Sequence, residues 1–254
     1  MHILLANNIY PPIMAGGAEL IVSYLAEELV RRGNRVTVVS TCGPEMEPYP
    51  TETRNGVEVV RFFPRNRYWH FDRGGRSGLD KIRWHLTDAW NRDALRKFSA
   101  IVEASRPDVL NTHLIDGLSA SIWRVARRAG IPIVHTAHDY HLICPRAFML
   151  SKSWKLCLNP SFACRTYRKW HISTTRDVDL FCSPSQFLID RHVEAGLKAG
   201  NTRVVANGIR LPDIDRAGPA RPHDGPLRLL MPIRLTVEKG ISVVLEAMRI
   251  LPTD

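Results

Sequence analysis

A chain of 254 residues, 44% of them hydrophobic, is long enough for one large core or two modest ones. Its charged fraction of 24% argues against global disorder, while a net charge of +10 favours an anionic partner: a phosphorylated substrate, an acidic membrane surface or a nucleic acid. No secretory leader is evident and no stretch nears the ~20 apolar residues that cross a bilayer, so a cytoplasmic protein is expected.

Short β-rich apolar runs alternate with longer helical patterns, which predicts a doubly wound α/β fold around a parallel sheet. Strands are expected near 2–6, 35–41, 57–63, 109–113, 132–138, 180–183, 203–206 and 227–233. Helices are expected at 18–32, 79–105, 118–129, 186–195 and 241–250. In the first, Leu20, Ile21, Leu25 and Leu29 share a face and Gly33 provides a stop. The stretches 43–55 and 64–78 have the composition of long functional loops, and the Pro- and Gly-rich 210–226 that of a linker. The organisation expected is a domain at 1–208, a linker at 209–226, and the start of a second, truncated domain at 227–254.

Three motifs sit where strands give way to helices. Gly16-Gly17-Ala18-Glu19 opens the first helix, where paired glycines admit a close ligand and free N–H groups favour an anion; a simple tight turn explains it equally well. The Gly-x-Gly-x-x-Gly dinucleotide fingerprint is absent. Arg234 and Lys239, five apart before Gly240, can converge on a diphosphate or form an exposed basic loop. Ser183-Pro184-Ser185 and Asn207-Gly208 lie at carboxyl ends of predicted strands, as a ligand edge or as a helix cap and a turn.

Joined by Asp108-Val109-Leu110-Asn111-Thr112-His113 and His138-Asp139, these motifs resemble glycosyltransferase family 4, retaining enzymes of the GT-B fold. Order and approximate spacing match over essentially the whole chain. The resemblance implies two facing Rossmann-like domains, a UDP- or GDP-sugar donor and no obligatory metal. It implies that Gly16, Gly17, Arg234 and Lys239, with Asn207, hold the donor, that His113 sits beside the transferred sugar, and that His138 and Asp139 line the acceptor side. The family's Glu-x7-Glu grip on the donor lies outside this sequence. Ile233 stands where a glycine usually precedes the family arginine, and Asn111 where His-x-His has its first histidine.

Two further features concern 141–176. His141, Cys144, Cys157 and Cys164 offer ligands for a structural zinc, though without paired Cys-x2-Cys spacing; buried free thiols are the alternative. Arg146, Lys152, Lys155, Arg165, Arg168 and Lys169, interleaved with Trp154, Tyr167 and Trp170 and with no Asp or Glu, fit an acceptor loop at an anionic membrane or, equally well, a solvated basic face. Trp69, Trp84 and Trp90 form a second candidate membrane patch, while Ile82, Leu86, Leu95, Phe98 and Ile101 are expected in the core.

The functional expectation is a retaining glycosyltransferase moving a sugar to a lipid-linked or polysaccharide acceptor in cell-surface glycan synthesis, at the inner face of the cytoplasmic membrane. The alternative is a non-catalytic remnant or acceptor-binding subunit without donor binding. No helix-turn-helix or zinc-finger spacing supports a nucleic-acid partner.

Overall fold

The first strand sets the plan. In the computed structural model, which describes residues 1–47, 49–72, 74–151, 153–210, 229–233 and 235–251, β1 (His2–Ala6) is buried along its whole length. Leu4 and Ala6 pack into one core and Ile3 and Leu5 into another, because successive side chains leave opposite faces of the sheet. Both faces are therefore covered, as parallel sheets require.

Seven further strands complete the sheet: β2 (Arg35–Thr41), β3 (Glu52–Arg54), β4 (Val57–Phe62), β5 (Val109–Thr112), β6 (Ile133–Thr136), β7 (Leu180–Ser183) and β8 (Asn201–Val204). Their order is β3-β4-β2-β1-β5-β6-β7-β8. All pairings are parallel except β3 with β4, a short hairpin that the sequence reading missed. The chain winds outward from β1 to β2 and β4, then returns to β5 on the other side. The switch point thus lies between β1 and β5, and the crevice outside their carboxyl ends is where such sheets bind ligands.

The helices are α1 (Ala18–Arg31), α2 (Gly78–Ala89), α3 (Arg92–Ser105), α4 (Ser121–Arg128), α5 (Phe162–Thr174), α6 (Gln186–Glu194) and α7 (Ile241–Ile250). The single helix expected over 79–105 is two. Asn91 breaks it by accepting hydrogen bonds from the Asp93 and Ala94 N–H groups, an N-cap that competes with helix continuation. Helix α5 was hidden in the basic insertion; Ser161 starts it by accepting from Cys164 N at 3.3 Å.

The core reading of α2 is corrected. Ile82 and Leu86 are 57% and 71% exposed, and Leu79 67%. The helix instead turns Trp84 and Asp88 inward, because Trp84 Nε1 donates to Tyr68 O and Asp88 Oδ1 accepts from Gly117 N. Phe98 is buried, with Leu95 and Ile101 packed against the same core.

The strand expected at 227–233 does not form over its described residues, 229–233. A strand exists through its hydrogen-bonded neighbours, and no described residue pairs with this one. Arg234 and most of the linker lie outside the described residues.

Candidate functional site

The loops after β1 and β5 are zipped together at the switch point. Asn8 N donates to Leu114 O, His113 N to Ala6 O, and Leu114 N to the Asn7 side-chain oxygen. Farther along the first loop, buried Arg61 donates to Pro11 O at 2.6 Å and pairs with Glu52. The loop leading to Gly16 and Gly17 is thereby pinned. Gly16 N donates to Glu19 Oε2 at 2.9 Å, and both glycines are exposed at the start of α1. Gly17 has an ordinary φ of −90°, and a Cβ added there meets no protein atom within 4 Å. Nothing among the described residues demands glycine at this position.

At the end of β5 a hydrogen-bond chain sets the state of two histidines. Asn111 Nδ2 donates to Val134 O, which turns Asn111 Oδ1 toward His113 Nε2 at 3.0 Å. His113 Nε2 therefore carries the proton, its Nδ1 is an acceptor, and His138 Nε2–H donates to it at 2.9 Å. The rings stack with centroids 5.2 Å apart. Burial, then the facing His138, holds His113 neutral down to about pH 3; burial lowers His138 to about 4. His113 is 2% exposed with both ring nitrogens engaged, whereas His138 keeps Nδ1 as an acceptor and is half-buried.

His138 and Asp139 line a small cavity with His113, His135, His141 and Leu142. Asp139 Oδ1 accepts from His141 N at 2.8 Å. Burial, followed by the nearby charge of Asp116, raises the Asp139 carboxyl to about 7. Asp116 itself is held well below the usual carboxylate range: burial opposes this, but His70 Nε2, 2.6 Å away, outweighs it. Asn8 Nδ2 also donates to Asp116 at 2.8 Å. Asp88 is pushed up by burial and by Asp116. One anion thus adds to the burial that makes two other carboxyls hold their protons longer, the usual outcome of desolvation and nearby like charge.

The remaining expected residues divide. Ser185 stands at the start of α6 on the same sheet edge, exposed, with no capping bond from its side chain; Asn207, just past β8, is also exposed. Lys239 is exposed in a single 3₁₀ turn before Gly240, and Arg234 lies outside the described residues. Gly16, Gly17, His113, His138 and Asp139 are gathered after β1, β5 and β6, neighbouring strands.

The candidate zinc ligands are not brought together. Among the described residues no group of three His, Cys, Asp or Glu side chains is arranged to hold a metal ion, and all five cysteines are free. His141 is instead packed edge-on against Tyr167 and His171, with Tyr167 donating to His141 O. The basic segment divides too. Arg168 is turned inward to donate to Ile143 O, and Arg146 donates to Leu150 O and covers Trp154. Lys155, Arg165 and Lys169 are exposed, and Lys152 lies outside the described residues. Of the tryptophan patch, Trp84 is buried, while Trp69, which donates to Thr41, and Trp90, which packs on Trp170, are half-buried. The supporting residues Asn7, Asn8 and Asp116 were missed, the pairing of Arg61 was not foreseen, and Tyr167 was seen only as an aromatic of the basic segment; Asn7-Asn8 directly after an apolar strand was the available signal.

The model of the glycosyl transferase 4-like domain matches residues 16–208. A protein described as an uncharacterized 42.6 kDa protein in the cps region of Klebsiella pneumoniae is 32% identical over 95% of this chain and 63% of its own length. Glycogen synthase of Mycobacterium tuberculosis is 28% identical over 98% of this chain and 58% of its own. The chain therefore spans about three fifths of these relatives. Sucrose-phosphate synthase from Thermosynechococcus elongatus superposes with a TM-score of 0.54 at 15% identity, covering 81% of this chain and 47% of that one.

Proposed function

Because this chain belongs to the glycosyltransferase 4-like family, we propose that it contributes the acceptor side of a retaining enzyme that moves a sugar from a UDP- or GDP-sugar to a lipid-linked or polysaccharide acceptor. The observation that carries the reading is the gathering of Gly16-Gly17, His138 and Asp139 outside the carboxyl ends of β1 and β6, on either side of the β1–β5 crevice. Departure of a nucleoside diphosphate needs positive charge and N–H dipoles where negative charge accumulates. The exposed start of α1 supplies dipoles, and Lys239 with Arg234 supplies charge. His138 Nδ1 accepts a sugar hydroxyl, and Asp139, titrating near neutrality, takes a proton from the acceptor hydroxyl. His113 and Asn111 are positioning residues. No metal is required.

An anionic membrane surface at the cytoplasmic face fits the outer side. Leu79, Ile82 and Leu86 form an exposed apolar stripe on α2 beside exposed Lys81 and Arg83. Among the described residues no helix is long and apolar enough to cross a membrane. A second reading is acceptor binding without donor binding. Calorimetric titration with UDP-glucose and GDP-mannose, followed by product analysis with a bacterial lipid extract, separates the two. Donor binding and an α-configured product from an α-linked donor support transfer; acceptor binding without either nucleotide sugar leaves the second reading.

A further inference from the structure

A second concavity lies away from the crevice, on the helical layer. It has a volume of about 160 Å³ and is lined by Trp90, Arg124, Trp170, Ser173, Arg176 and Asp177, with Thr174 behind. It is small against the ~300–1,000 Å³ of a typical small-molecule site, with room for a single ring rather than a nucleotide. Trp90 follows α2, Arg124 belongs to α4, and the others come from α5 and the turn after it. Three separate stretches of chain therefore build it.

The chemistry of the lining is specific. The Trp90 and Trp170 rings meet edge to face at 6.2 Å, and Trp170 Nε1 donates to Ala89 O, which fixes that indole while leaving it 46% exposed. An exposed, immobilised indole face offers an apolar platform at low entropic cost. Beside it, Arg124 pairs with the buried Asp177 through Nε at 3.2 Å, and its terminal nitrogens make no hydrogen bond among the described residues. Arg176 is exposed and pairs with no described residue. Ser173 and Thr174 donate to helix carbonyls, so their oxygens remain acceptors.

We propose that this concavity is a saccharide-binding site, separate from the crevice, that holds one pyranose ring of a glycan chain. The apolar C–H face of the ring lies on the indole, and its hydroxyls, or a uronate carboxylate, meet the guanidinium forks. Two arginines against one aspartate favour the acidic form. This rests on the reading of the chain as a glycan-building protein, and it gives that protein a grip on its polymer at a distance from the reacting end.

The test is titration of the protein with maltohexaose and with a hexasaccharide of polygalacturonate, following the six tryptophan indole N–H signals by NMR. The expected result is a saturable shift of the Trp90 and Trp170 signals by at least one of the two, with Trp123 unmoved. Arg176→Ala, an exposed change that leaves packing intact, weakens binding of the acidic probe at least fivefold; Trp170→Phe weakens both. No shift at these indoles with either probe, or equal affinity in both variants, overturns the site. Donor-dependent transfer is measured on the same samples. Transfer without glycan binding sinks only this site, and glycan binding without transfer sinks only the enzymatic reading.

Discussion

His113 Nδ1 and His138 Nε2 lie 2.9 Å apart, and because Asn111 engages the other nitrogen of His113, the proton between them belongs to His138. The imidazole that lines the cavity consequently presents a lone pair at Nδ1, the form suited to accept a hydroxyl hydrogen.

His138→Ala is expected to lower kcat by about 10²–10³, in the range of a lost acid–base or hydroxyl-orienting group. Asn111→Leu keeps both rings but frees the tautomer, and about a tenfold loss in kcat with little change in KM is expected. Steady-state kinetics on both variants checks this; wild-type kcat in Asn111→Leu contradicts the tautomer argument.

Asp139 titrates near 7, so its anion grows as pH rises through neutrality. A proton-accepting role gives kcat/KM a rising limb centred near that value, and Asp139→Asn removes the limb. A limb that persists in the variant assigns it to another group.

Seven buried or half-buried histidines, His85, His113, His135, His138, His141, His171 and His192, are held below the ordinary value of 6.5, mainly by burial. The unfolded chain binds protons first as pH falls through 6.5, so stability is lost from there downward. Asp88 and Asp139, raised in the fold, act in the opposite direction, but they are two against seven. Melting temperature should fall between pH 7.5 and 5, by roughly 2–4 °C for each kcal/mol lost. A flat profile from calorimetry refutes this balance.

Ile82→Glu with Leu86→Glu removes two exposed apolar side chains from α2. Each is worth about 1.5–3 kcal/mol when buried, so sedimentation with phosphatidylglycerol-rich vesicles should drop more than tenfold while melting temperature is unchanged. Equal sedimentation of variant and wild type removes the membrane role of this stripe.

Asn91→Ala deletes two capping bonds and leaves Pro64 O without its Asn91 partner. A loss of about 1–3 kcal/mol in urea unfolding is expected. A loss below about 0.5 kcal/mol would falsify the view that Asn91 sets the α2–α3 break.

Much of the fold was readable in advance because burial on both faces imposes apolar runs: β1, β2 and β7 fall at the residues that periodicity marked. The candidate residues Gly16, Gly17, His138 and Asp139 were also visible through the motifs that carry the family resemblance, although the strand expected at 132–138 ends earlier, at Thr136. Other features depend on contacts between residues far apart in the chain. Ile82 and Leu86 have core-like spacing, yet they face outward because Trp84 and Asp88 find partners inside. His141 and three cysteines have the composition of a metal site, but Tyr167 and His171 occupy the space around the histidine. Sequence by itself therefore determined the doubly wound parallel α/β plan, the family and the edge on which the loops gather, because these follow from local pattern. Which histidine keeps a free nitrogen, which carboxyl titrates near neutrality, and which apolar stripe meets solvent were decided by the tertiary structure alone. Desolvation, hydrogen-bond direction and packing belong to pairs of residues that only folding brings together.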